Sequence, residues 1–200
     1  YAEELGMLES EDFLAHCVHV DEEEIDRLAA SGTGVIHCPA SNMKLASGMA
    51  PVQRMLEEGV TVGLGTDGVA SNNDLSMLDE ARDAAMLGKL AAEDASAVPA
   101  EAVVEMLTRG SADAIGLDAG RLEEGAPADP AVPDLEQPHL TPAHDLVSHL
   151  AYAAAAADVR HTIGDGRVLM RDREVLTLEE DAVRKRAAEA AESLVARAED

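Results

Sequence analysis

Three short apolar runs, alternating with amphipathic stretches and ending in residues that can carry chemistry, constrain this chain most. They are Phe13-Leu14-Ala15-His16-Cys17-Val18, Thr33-Gly34-Val35-Ile36-His37-Cys38 and Val60-Thr61-Val62-Gly63-Leu64-Gly65-Thr66, the last closed by Asp67-Gly68. Short β-type runs alternating with helical segments are the sequence form of βα units around a parallel sheet, which makes the fold class α/β. After the first run, Asp21 reads as a helix N-cap with Glu24 as its capping-box partner. Ile25, Leu28 and Ala29 form one apolar face, and Gly32 is the stop. Pro39 breaks the second run, and the next helix is predicted from near Pro51 to Gly59.

Beyond a loop over Val69–Asp74, a long helix is predicted from Leu75 to about Ala92, and Pro99 opens another that runs to Arg109-Gly110. The segment from Arg121 to Pro142 is rich in Pro, Gly and acid. Helix resumes from His144 to Ala157, with the alanines of Ala153–Ala157 read as ordinary helix packing. Gly164-Asp165-Gly166 between Val159–Ile163 and Arg167–Met170 signals a hairpin, with Val175–Leu178 as a further strand. Thr177 and Glu180 form a second capping box. It opens a final helix whose inner side is Ala182, Val183, Ala187, Ala190 and Leu194.

Composition excludes several classes of function. Fifteen Lys plus Arg against forty Asp plus Glu leave a net charge of -25, so nucleic acid and anionic membranes are repelled over the whole surface. Two Tyr, one Phe and no Trp remove the stacking platforms used by single-strand binders. The acidic excess is that of a salt-adapted protein, whose self-repulsion is relieved when molar salt screens its carboxylates. Cys17 and Cys38 lie in apolar runs and are too few for a disulfide framework, so a reducing cytoplasm is the expected location and both are expected to be small core residues. No apolar run reaches the ~18 residues of a membrane span.

In parallel α/β sheets reactive groups gather at the C-terminal ends of strands, where the following loops form an open mouth. His16, His37 and Asp67 sit at or near three such ends. Convergent imidazole and carboxylate groups suit a divalent metal or general acid/base chemistry. Set against this is the bland alternative of hydrogen-bonded strand-end residues. His19, three residues after His16, would point to the opposite face of an extended strand and fall outside the same site.

The wording of the segments adds a resemblance. His16-Cys17-Val18-His19, then His37-Cys38-Pro39-Ala40-Ser41-Asn42-Met43-Lys44-Leu45, then Leu64-Gly65-Thr66-Asp67-Gly68-Val69-Ala70-Ser71-Asn72-Asn73 resemble three successive blocks of the amidohydrolase superfamily. The match is nearest to the 5-methylthioadenosine/S-adenosylhomocysteine deaminases. The segments Gly120-Arg121-Leu122-Glu123-Glu124-Gly125 and Pro138-His139-Leu140-Thr141-Pro142 resemble the return of the chain from the barrel into a small β domain.

That resemblance implies a metal-dependent (β/α)8 barrel whose sixth, seventh and eighth strands are the three runs. Residues 1–118 would be its C-terminal part, 119–178 part of the small β domain with a connecting helix, and 179–200 a C-terminal helix. By the same match Asp67 is a ligand to zinc or another divalent ion, relays a proton and contacts the substrate. His16 hydrogen-bonds the attacking hydroxide and stabilises the tetrahedral intermediate, and Ser71 contacts the purine ring. Asn42 and His37 have loop-shaping roles. The implied activity is hydrolytic deamination of an adenine nucleoside, with guanine, 8-oxoguanine or a triazine as alternative substrates and a non-catalytic acidic interaction module as the alternative of another class. The family's first-strand His-x-His pair, its strand-five His with the following Glu, and its arginines for the nucleoside tail have no counterpart here. The resemblance therefore implies the C-terminal portion of a longer enzyme, partnered by its own N-terminal part and, as is common among relatives, by further copies of itself. Pro130 and Pro133 fall where the family has an apolar strand, so that stretch is expected to be irregular or at a sheet edge.

Overall fold

The computed structural model describes residues 3–199. Its elements in chain order are β1 (Phe13–Ala15), α1 (Glu22–Ser31), β2 (Gly34–His37), α2 (Pro39–Lys44), α3 (Val52–Glu57), β3 (Val62–Leu64), α4 (Val69–Asn72), α5 (Met77–Ala92), α6 (Ala100–Leu107) and α7 (Arg109–Ala114). They are followed by β4 (Ala131–Pro133), α8 (Leu146–Tyr152), β5 (Val159–Gly164), β6 (Arg167–Arg171), β7 (Glu174–Val175) and α9 (Glu180–Glu199). The chain divides into two units, one of residues 3–127 with Leu135–Asp158, the other of Ala128–Asp134 with residues 159–199.

In the larger unit β1, β2 and β3 form a parallel sheet in that order, with Leu14 opposite Val35 and Ile36 opposite Gly63. α1 starts and stops where its local chemistry dictates. The Asp21 side chain accepts from the backbone of Glu24, the Glu24 side chain accepts from the backbone of Asp21, and Gly32 closes the helix at φ 74°. β3 is apolar throughout and β2 is so up to His37 because helices cover them, and Val35, Val62 and Leu64 join Met55, Ala81, Ala84, Ala85, Val103 and Met106 in one core. α7 lies so close to the sheet that a Cβ on Gly63 would meet Ser111 Cα at 2.5 Å. Ser111 uses that proximity, its hydroxyl accepting from Leu64 N at 2.9 Å and donating to Met106 O at 2.6 Å.

Two short helices, α2 and α4, occupy stretches that the sequence pattern assigned to loops. Both are brief enough that apolar periodicity has nothing to register. The alanine run departs further from expectation: α8 ends at Tyr152, and Ala156–Asp158 form a 3-10 turn. Helix propensity loses there to tertiary bonds. Arg82 donates to the carbonyls of Tyr152 and Ala154, and Asp158 accepts Ala155 N at 2.8 Å and pairs with His139 at 2.9 Å. Those bonds and the buried Ala151 and Ala154 place Leu135–Asp158 with the larger unit.

The smaller unit holds an antiparallel sheet in the order β4-β5-β6-β7. Its central turn is Asp165-Gly166, with φ of 49° and 71°, the pair of positive values that a two-residue hairpin of this hand requires. β4, with Pro133 at its end, is an edge strand whose register shifts between Val132 and Pro133, as a residue without an N–H demands. α9 corrects the sequence reading: Val183 and Leu194, assigned to an inner side, are 37% and 62% exposed, as the side chains it presents are along its described length. Among the described residues no helix is long and apolar enough to cross a membrane.

Candidate active site

β1, β2 and β3 run in one direction, so the residues following them emerge at one edge of the sheet. The ladder extends slightly past the strands, with His16 N donating to Ile36 O at 2.9 Å and Gly65 N to His37 O at 3.0 Å. The backbone then turns sharply. His16, Cys17 and Asp67 have φ of 67°, 46° and 58°, a left-handed region that side chains other than glycine occupy only when their surroundings hold them there.

These turns bring His16 and Asp67 together, with Nε2 of the imidazole 3.9 Å from Oδ2 of the carboxylate and side chains 38% and 36% exposed. That oxygen also accepts two hydroxyl hydrogen bonds of 2.7 Å, one from Ser41 on α2 and one from Ser71 on α4. The two hydroxyls, Ser41 first, and the Gly68 backbone hold the Asp67 carboxyl down at about 2, so it is ionised throughout the neutral range. His16 Nδ1 lies 2.9 Å from Asn42 Oδ1, and Asn42 is itself only 1% exposed. His16, Ser41, Asn42 and Asp67 line a cavity of about 290 Å³. A cavity of about 340 Å³ beside α3 and the C-terminal half of α5 touches none of the candidate residues.

His19 also lines the smaller cavity, contrary to the expectation that it would face away. β1 stops at Ala15, and with His16 and Cys17 in left-handed conformations the alternation of an extended strand no longer applies. His37 does not reach the cavity wall. It is buried at 1% exposure, its Nδ1 has no hydrogen-bond partner among the described residues, and burial, with His16 nearby, drives its imidazole down to about 4. Cys38 is a core residue, its thiol pushed up to about 11 by burial first and then by Asp67 and Glu80. Cys17, half-buried, packs against the core.

The sequence reading missed Ser41, which does as much for Asp67 as Ser71 does. It also missed Glu80, a carboxylate 1% exposed on the inner face of α5. The available signal was its place one residue before Ala81 on a stripe continued by Ala84, Ala85 and Gly88, where a charge stands out.

An aspartate ionised at neutral pH is a fitting oxygen ligand for a divalent cation. Among the described residues, however, no three of His, Cys, Asp and Glu come together as a metal site.

The chain belongs to the amidohydrolase family, whose pattern it matches over residues 1–169. It is 67% identical, over its whole length, to the 5-methylthioadenosine/S-adenosylhomocysteine deaminase of Haloarcula marismortui, of which it covers 46%. It is 47% identical over 98% of its length to the 5'-deoxyadenosine deaminase of Methanosarcina mazei, covering 45% of that protein. Among solved structures, a zinc-bound adenosine deaminase from Xanthomonas campestris superposes on 97% of the chain with a TM-score of 0.95 and 35% identity, 45% of that chain being matched. Atrazine chlorohydrolase TrzN from Arthrobacter aurescens, complexed with zinc, matches with a TM-score of 0.86 and 30% identity over 93% of this chain and 42% of its own. The chain thus spans about half the length of the relatives it matches.

Proposed function

We propose that this chain is the C-terminal part of a metal-dependent (β/α)8 barrel enzyme that deaminates an adenine nucleoside, such as 5-methylthioadenosine or S-adenosylhomocysteine, to the inosine analogue and ammonia. In this reading β1, β2 and β3 are the sixth, seventh and eighth strands. Residues 1–118 complete the barrel, 119–178 contribute to a small β domain, and 179–200 form the terminal helix. Supporting it are the open edges of a three-stranded parallel sheet, which a barrel would pair, and the deaminase names of relatives that the chain matches end to end.

The observation that carries the reading is the convergence of His16, Ser41 and Ser71 on one oxygen of Asp67 at the strand ends. Asp67 is one ligand to the ion, zinc by analogy with the adenosine deaminase neighbour, and the remaining ligands come from the part of the enzyme beyond this chain. When bound, such an ion supplies a Lewis acid that lowers the pKa of water. The chain's own residues handle the proton and the geometry. The oxygen of the attacking water bonds to the ring carbon that carries the amino group, Asp67 takes the water's proton, and that proton passes to the amine nitrogen as the carbon–nitrogen bond breaks and ammonia leaves. His16 hydrogen-bonds the attacking oxygen, and Ser71, beside Asp67, contacts the purine ring.

The test is Asp67→Asn and His16→Asn in the full-length enzyme with 5-methylthioadenosine as substrate. Each is expected to lower kcat by roughly 10²–10⁴ or more, the range for a lost acid/base group, with Asp67→Asn the more severe. Deamination unchanged in both would favour a non-catalytic role for the cluster and overturn the proposal.

A further inference from the structure

Glu80 stands on the first turn of α5 and is buried. Its two carboxylate oxygens are used separately: Oε2 accepts the backbone N–H of Ala40 at 3.2 Å, and Oε1 accepts from the Asn72 amide. Ala40 and Asn72 are the chain neighbours of Ser41 and Ser71, the two residues whose hydroxyls donate to Asp67. Asn72 is fixed in turn by Leu75 N, which donates to its Oδ1 at 2.8 Å. One buried side chain therefore ties α2 to α4 at the two places where they reach Asp67.

We propose that Glu80 is a positioning residue for Asp67, setting through Ala40 and Asn72 the spacing of the two serine hydroxyls that orient its carboxylate. The proposal rests on the catalytic reading of Asp67 given above. Filling the space needs no charge, since a buried carboxylate opposes its own desolvation and a neutral side chain of similar volume packs as well. What the carboxylate adds is two acceptors in a fixed fork facing two donors. Glutamine offers one acceptor only, and its amide nitrogen would face either Ala40 N–H or the Asn72 amide donor. Partners of this kind, one layer behind a reacting group, commonly change activity by 10–100-fold when removed.

The experiment uses the full-length enzyme with 5-methylthioadenosine. Glu80→Gln is expected to lower kcat about 10–100-fold, with KM changed by less than about twofold. Asn72→Ala cuts the same tie at its half-buried end and is expected to lower kcat in the same way, which keeps the test open if Glu80→Gln folds poorly. In a Ser41→Ala/Ser71→Ala background, Glu80→Gln should cost less than about threefold more, because residues acting through one another are not additive. Glu80→Gln leaving kcat unchanged, Asn72→Ala doing so where Glu80→Gln folds poorly, or Glu80→Gln costing the same factor with and without the serines, would overturn the proposal. Retained deamination in Asp67→Asn would instead sink the underlying reading. An inactive Asp67→Asn beside a fully active Glu80→Gln would remove Glu80's role alone.

Discussion

The rim of the parallel sheet and the helix α9 use the same acidic composition in opposite ways. At the rim, Asp67 and Glu80 each accept hydrogen bonds from two different segments of chain, and Ser41, Asn42, His37 and Glu80 are each 1% exposed. On α9, the acids either stand in water or pair locally, as Arg184 does with Asp181 at 3.7 Å and Lys185 with Glu189 at 3.9 Å, between side chains more than half exposed. A carboxylate gains a role where donors converge on it from distant parts of the sequence. Where its partners are a helical turn away it serves solvation and little else.

The contrast can be broken first at the core that holds the rim in place. Met106 of α6 is 1% exposed, and Met106→Ala in the full-length protein is expected to cost about 2–5 kcal/mol in a denaturation series, the range for emptying a well-packed site. At the other extreme, Lys185→Ala on α9 should leave the unfolding midpoint unchanged.

Between these lies a pH effect. His37 titrates near 4 in the folded chain against an ordinary value of 6.5, because burial disfavours the imidazolium. Above pH 6.5 the ring is neutral whether the chain is folded or not. As pH falls toward 4 only the unfolded chain gains the proton, so the stability contributed by the neutral ring is lost over that window. Thermal midpoints measured between pH 7 and pH 4 should fall, and less steeply in His37→Gln. Salt acts on the surface in the other direction. With a net charge of -25, raising salt to about 1 M, where the Debye length shrinks to about 3 Å, should raise the midpoint, and a flat response would contradict the salt-adapted reading.

Much of this was legible in the sequence wherever the cause is local. The Asp21 and Glu24 capping box, the stop at Gly32 and the Asp165-Gly166 hairpin depend on residues a few positions apart, and each formed as read. His16 and Asp67 were legible as a possible pair because parallel strands release their ends at one edge. The alanine run and the supposed inner face of α9 misled, since propensity and periodicity say nothing of what the rest of the chain offers as a partner. Ser41 and Glu80 were hidden for the same reason. Their partners lie 26 and 40 residues away along the chain, and only folding brings them together.

The most direct test of the central claim is a crystal structure of the full-length protein with zinc located by its anomalous scattering. The account predicts an ion about 2.0–2.2 Å from an oxygen of Asp67, with the His16 ring facing the same cavity. An ion bound elsewhere in the fold, with Asp67 outside its coordination shell, would contradict it.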